Sequence, residues 1–227
     1  MRFVPQIPSN FDPGPWLPLA PLVLRWEGGV HPDWPGAVHR GLAVHAIHLP
    51  GQSPVEEALD ALRHGLGPDF LVLPAAHPAN REAGFRLLGH LETLLEATSG
   101  RGVKLALQIE GGAEAAVVDL LRQGRADAVG YCWHPATIDA ELLADRLWCG
   151  VCEPGSDLRP LQKLGYRWDM ALPAVDPATF RVQAMALAAA HPEVLFPEQI
   201  AMPGMDPAAP VEGLTFGRYW GPERDPS

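Results

Sequence analysis

The sequence is short of basic charge and of cysteine, and it has no long apolar run. Seventeen Lys and Arg stand against 27 Asp and Glu, a formal charge of −10. Phosphate backbones are gripped by basic faces, so no nucleic-acid partner is expected. No stretch approaches the ~20 consecutive apolar residues a membrane helix needs. The opening residues, MRFVPQIPSNFDPGPW, lack the apolar core of a secretion signal. No membrane partner and a cytoplasmic location are the expectations. The three cysteines, Cys132, Cys149 and Cys152, are odd in number and close together. They fit a reduced chain better than a disulfide framework. Several chemical signatures are missing as well. No GxGxxG or GxxxxGK[ST] follows a strand, and neither GxSxG nor HExxH occurs. Dinucleotide, nucleoside triphosphate, serine-hydrolase and zincin readings all lose their usual support.

What is present is punctuation and alternation. The chain holds 25 Pro and 23 Gly among 227 residues, of which 47% are hydrophobic. That length buries a sizeable core without covalent staples, and a single domain over 1–227 is expected. Apolar strand-like runs alternate with amphipathic stretches. Leu42 to Leu49, Phe70 to Leu73, Val103 to Ile109, Ala128 to Trp133, Leu147 to Cys152 and Tyr166 to Leu172 read as strands. Between them, Ser53 opens a capping box closed by Glu56, and Asn80 caps a long helix carrying Phe85, Leu88, Leu91, Leu94 and Leu95. Ala113 to Arg122 is helical, Asp139 to Ala144 a short helix, and Ser156 or Asp157 starts another that runs to Leu164. Asp176 caps the last helix, with Phe180, Ala184, Leu187 and Ala188 along it.

Strands each followed by a helix call for parallel pairing. An open doubly wound sheet and a closed barrel both satisfy that. Arg2 to Ile7 and Leu22 to Trp26 add two strands, joined by the Pro-rich stretch 9–21. The total of eight favours an α/β fold of the (β/α)8 TIM-barrel type, compact, with its first helix reduced to a loop. A Pro-rich tail, residues 196–227, is expected to be extended.

The order of segments resembles the xylose isomerase-like TIM barrels, a superfamily of sugar isomerases, sugar-acid epimerases and dehydratases and an AP endonuclease. Gly41-Leu-Ala-Val-His-Ala-Ile-His-Leu-Pro50, Asp69-Phe-Leu-Val-Leu-Pro-Ala-Ala-His77 and Arg101-Gly-Val-Lys-Leu-Ala-Leu107 each resemble a strand of that family. So do Ala128-Val-Gly-Tyr-Cys-Trp-His-Pro-Ala-Thr137 and Leu164-Gly-Tyr-Arg-Trp-Asp-Met-Ala-Leu172. The resemblance implies a divalent metal, Zn, Mn or Mg, held by Glu, Asp, His and Glu at the C-terminal ends of four strands. Carried over residue by residue, these positions fall on Gln108, on His134 with Thr137 three residues on, near Gly150 with Glu153 following, and on Pro173. Even-numbered shifts in register, which keep strand facing, put Glu110, two residues on from Gln108, and Asp169, four residues back from Pro173, at ligand positions instead.

A second set lies outside the family pattern. His48 and His77 end adjacent strands, where barrel sites are built. With Glu110 and His134 they offer three imidazoles and a carboxylate, donors that suit zinc. The plainer alternative is separate, hydrogen-bonded histidines. Glu110 is either a base or ligand, or a charge favoured by a helix N-terminus. His45 is expected against the helix layer. Cys149 and Cys152 point to opposite faces of a strand and, with Cys132, read as core. Trp133, Trp148 and Trp168 either stack on a sugar ring at the mouth or pack in the core. Glu27, His31 and Asp33 either line the same opening or are solvated.

The resemblance implies a sugar or sugar-acid isomerase or epimerase with a pocket at the C-terminal mouth. Glu110, His134 and Glu153 are the candidate acid–base groups, and His48, His77, Gln108 and Trp133 the candidate contacts to a sugar-like ligand. The alternative is a relative without the metal that binds a small molecule or acts as a scaffold without turnover. A nuclease reading needs a metal cluster and a basic groove, and the net charge argues against it.

Overall fold

The computed structural model describes residues 1–124, 126, 128–166 and 169–192. Eight parallel strands close into a barrel in sequence order: β1 (Arg2–Pro8), β2 (Leu22–Arg25), β3 (Val44–His48), β4 (Phe70–Ala75), β5 (Lys104–Ile109), β6 (Val129–Trp133), β7 (Leu147–Val151) and β8 (Asp169–Pro173). The ring is shut where β1 pairs with β8, from Arg2 opposite Asp169 to Gln6 opposite Pro173. Closure removes both sheet edges and decides between the open and closed readings.

Each strand has two buried faces, so the apolar runs are nearly continuous. Inward, Val4, Val23, Ala46, Val72, Ala106, Cys132, Cys149, Val151 and Ala171 fill the lumen with small and medium side chains. Outward, larger residues such as Leu24, Ile47, Leu71, Leu105, Leu107, Tyr131 and Leu172 pack in the layer beneath the helices. Cys149 and Cys152 do lie on opposite faces, one in the lumen and one in the outer layer. Burial and the neighbouring Cys149 raise the Cys132 thiol, and burial pushes Cys152 up to about 12. Neither is an available thiolate.

The helices are α1 (Trp34–His39), α2 (Pro54–Arg63), α3 (Arg81–Thr98), α4 (Glu114–Gln123), α5 (Arg159–Lys163) and α6 (Pro177–Ala190). Between β1 and β2 the chain makes a 3-10 helix, Gly14–Leu19, rather than a loop. Pro18 inside it removes a donor that an α-helix needs, and Trp16 anchors it in the core. A second 3-10 helix, Ala140–Arg146, stands where a short helix from Asp139 is expected. Asn80 accepts from Ala83 N–H, and Asp176 from Ala178 and Thr179 N–H, as their positions predict.

Other local expectations are corrected. Ser53 makes no side-chain cap. Instead Glu57 reaches back, one carboxylate oxygen accepting from Gly51 N–H and the other from Ser53 N–H. Phe85 does not join Leu91 and Leu94 in the core. It is 58% exposed, with the Arg81 guanidinium 5.2 Å from its ring centroid. The short helix α1 has no counterpart in the periodicity, because six residues are too few to show one. The tail 196–227 and Trp168 lie outside the described residues.

Candidate functional site

The barrel has two chemically different openings. At the N-terminal end, Arg2 is ion-paired with Asp169, and His45 Nδ1 lies 3.0 Å from Asp69 Oδ2. The His45 ring stands edge-on to Phe70, Lys104 lies over Trp148, and Phe70 and Trp148 rings are 6.2 Å apart. Gly130 makes room for Trp148: a Cβ there meets the indole at 2.2 Å. His45 is therefore not set against the helices. The pairing of β2 with β3 steps from Leu22–Val44 to Val23–Ala46, and the extra residue is His45. A bulge of this kind breaks simple alternation. Trp148 sits at this end too, not at the opposite mouth.

The C-terminal end is where barrel chemistry is built. His48, on the lumen face two residues beyond Ala46, is buried, with the Gln108 amide as its side-chain hydrogen-bond partner. Burial lowers its pKa from 6.5 to about 4, partly offset by the hydrogen bond with Gln108, while His45 and His134 lower it further. The ring is a neutral donor and acceptor at ordinary pH.

Gln108, next to last in β5, stands opposite Cys132 of β6, and His134 follows Cys132 by two residues. His134 Nδ1 accepts from Ala136 N–H at 3.2 Å, which sets the proton of the neutral ring on Nε2. Gln108, His134 and Glu110 line a depression of about 310 Å³, with Pro74, Ala76 and Ala136 among its walls. That is the lower end of small-ligand sites. A larger groove, about 630 Å³, runs between α3 and α4 past Arg81, Phe85 and Leu120. It lies on the outer helical surface, away from these polar groups.

Two features that sequence reading passed over shape the depression. Glu114, 2% exposed, accepts from Gly112 N–H and Ile138 N–H at 2.8 Å each. It ties the loop after β5 to the loop after β6. Gly111 lets them touch, since a Cβ there meets Ala136 O at 2.1 Å. A glutamate in the first turn of a helix looks like any dipole-favoured charge, so only its burial reveals the tie.

The remaining candidates do not converge on this point. His77 is exposed, with Nδ1 3.1 Å from Pro78 O. Glu153 is exposed and outside the depression, and its N–H donates to Ser156 Oγ. Trp133 is buried in the outer layer, not turned to the mouth, and its indole N–H has no partner among the described residues. Trp133 follows lumen-facing Cys132 and precedes mouth-facing His134, so alternation turns it outward. Glu27 pairs with Arg25 at 2.7 Å on the exposed rim.

A metal of the family type does not fit these residues. Gly150 and Pro173 offer no side-chain donor, and Gln108 is a neutral amide engaged with His48. Asp169 begins β8 and is held by Arg2 at the opposite end of the barrel, so the shifted register fails for it. His48, His77, Glu110 and His134 do not bring three ligand atoms together either. Among the described residues, Asp12, His31 and Asp33 do, within 4.8 Å. That group stands on the loops after β1 and β2, apart from every family position. Both carboxylates are exposed. Asp12 Oδ1 accepts from Gly14 N–H, and His31 Nδ1 faces Asp33 N–H at 3.3 Å. Each contact is loop-folding without an ion.

The sequence matches no family model and no curated protein. Among solved structures, the chain is similar to a xylose isomerase domain protein from Planctomyces limnophilus, with a TM-score of 0.60 at 12% identity, over 83% of this chain and 94% of that one. It is also similar to RipC from Yersinia pestis, with a TM-score of 0.42 at 16% identity over 81% and 94%. The second overlap is too loose to carry weight. Shared architecture at such identity speaks for fold and not for chemistry. The chain has the fold of the xylose isomerase-like TIM barrels.

Proposed function

We propose that the barrel binds a sugar or sugar acid at its C-terminal mouth and moves a proton beside the ligand's carbonyl, as an isomerase or epimerase does. The observation that carries this reading is the side-by-side arrangement of Gln108, His134 and Glu110 in one depression. An amide and an imidazole with its proton on Nε2 match the hydroxyl and carbonyl oxygens of a small polyol. Glu110 supplies a carboxylate base, and His134 Nε2–H donates to the oxygen on which charge develops. Neutral His48 holds the Gln108 amide in place from below. In an isomerisation the proton leaves carbon for the Glu110 carboxylate while His134 Nε2–H protonates the carbonyl oxygen; the enediol then takes the proton from Glu110 on the neighbouring carbon as its other hydroxyl returns a proton to His134 Nε2. An epimerisation takes its proton on the opposite face of the same carbon from solvent water, and Glu110 passes its own to solvent.

A second reading is binding without turnover. The resemblance places Glu, His and Glu ligands where this chain has Gln108, Gly150 and Pro173, and that favours it, since these supply neither a carboxylate or imidazole ligand nor a base. Incubating the protein with aldoses, ketoses and sugar acids in D2O separates the two. Deuterium entering the ligand next to its carbonyl, lost in Glu110→Gln with binding retained, supports catalysis. Binding by calorimetry with no deuterium uptake supports a binding protein. No binding to any member of the panel refutes both.

A further inference from the structure

The two ends of the barrel differ in charge as well as in shape. The eight loops that leave the C-terminal ends of the strands contain no lysine or arginine. They hold Asp12, Glu27 and Asp33 after β1 and β2, Glu110 and Asp139 after β5 and β6, and Glu153, Asp157 and Asp176 after β7 and β8. Three arginines flank these loops in sequence, and each is engaged. Arg25 pairs with Glu27 and Arg159 with Asp157, at 2.7 Å each, while Arg81 lies against Phe85 in the outer groove. Basic residues gather at the other end, where Arg2, Arg40, Arg101, Lys104 and Arg146 stand on or shortly before strand starts. A mouth lined by one sign of charge focuses its field on whatever enters.

Barrels commonly seat anions on helix N-termini at the C-terminal end. Here those donors are occupied from within. Glu57, Asn80, Glu114, Asp157 and Asp176 each accept from one or two N–H groups at or beside the starts of α2, α3, α4, α5 and α6. The depression offers an anion no better hold. Among the described residues its lining has no lysine or arginine, and it does include the exposed carboxylate of Glu110. Proton removal beside a carbonyl leaves negative charge on the ligand. His134 answers that charge with a neutral N–H, and no cationic side chain in the lining adds to it. An ammonium group carried by the ligand complements both the developing charge and the surrounding carboxylates.

We propose that this mouth selects a sugar carrying an ammonium group and turns away sugar acids. The inference rests on the reading of the depression as a sugar site and narrows its ligand class. At an effective dielectric near 20, one unit charge about 7 Å from another changes an affinity by more than tenfold. The test is calorimetry at pH 7 on three matched series: glucose, galactose and mannose, their 2-amino derivatives, and their uronates. An amino sugar is expected to bind about tenfold more tightly than its neutral parent, and the matching uronate more weakly than both. The preference is expected to shrink as ionic strength rises to about 0.5 M, and to fall several-fold in Glu110→Gln. A preference indifferent to both changes overturns the inference. A uronate that binds as tightly as its neutral parent, or an amino sugar that binds no more tightly, also overturns it and leaves the sugar site standing. A panel in which nothing binds refutes the sugar site and this inference with it.

Discussion

Burial of His48 makes a pH-dependent contribution to stability whose size follows from its surroundings. In the folded barrel its pKa is lowered from 6.5 to about 4, chiefly because the lumen strips water from the charged ring. In the unfolded chain the ring titrates near 6.5. Between these values the unfolded state binds the extra proton, so stability rises with pH across that window. The contribution is fully present above pH 6.5, drains away as pH falls towards 4, and changes no further once both states are protonated. A gap of about two and a half pH units at ~1.4 kcal/mol each amounts to about 3 kcal/mol, of which about 2 is lost by pH 5. His48→Gln keeps a neutral hydrogen-bonding group beside Gln108 and cannot titrate. Urea unfolding of both proteins at pH 7 and pH 5 isolates the effect from every other titrating group. The wild type is expected to lose about 2 kcal/mol more than the variant over that interval. Equal losses refute the claim that His48 is held neutral by burial.

The close approaches at either end give further tests. Gly130→Ala drives a methyl group into Trp148, 2.2 Å away, and is expected to lower unfolding stability by about 1–3 kcal/mol; an unchanged urea midpoint contradicts the packing described. Glu114→Ala strands the N–H groups of Gly112 and Ile138. A cost on the order of 1–3 kcal/mol follows, together with weaker ligand binding as the two mouth loops part, both measurable on one purified variant. Trp133→Phe keeps most of the buried aromatic surface and removes an indole N–H that has no partner among the described residues. Ligand affinity by calorimetry is expected to stay within about twofold, since a 1 Å-scale repacking behind the strand leaves the mouth polar groups in place. A tenfold loss returns Trp133 to the ligand site.

The barrel was legible in the sequence because its strands are buried on both faces. Segments such as Phe70-Leu-Val-Leu73 and Val103 to Ile109 declare themselves as short apolar runs, and Gly or Pro stops each one. The caps at Asn80 and Asp176 were legible too, since a cap depends on neighbours within one turn. The site was less so. Whether His45 and His48 share a face depends on a bulge opposite Leu22 and Val23, and a bulge leaves no mark in a hydropathy pattern. Asp169 shows the same limit at larger scale. Only the closure of β8 against β1 reveals that it belongs to Arg2, at the far end from Pro173. Glu114 sits in the first turn of its helix as ordinary glutamates do, and its partner Ile138 lies on another loop. Interactions within a turn can be read locally, while those that assemble a mouth come from strands far apart in sequence.

The stopper at the N-terminal opening has a consequence for traffic. Trp148, Phe70 and the charged pair of Arg2 and Asp169 close one end, and the lumen above them is lined by packed, buried side chains. The barrel is thus plugged at one end and filled along its length, not a tube. Any water, proton or solute that meets His48 must arrive and depart by the same door, so whatever sits on Gln108 and His134 also governs how quickly that inner imidazole trades protons with the solution.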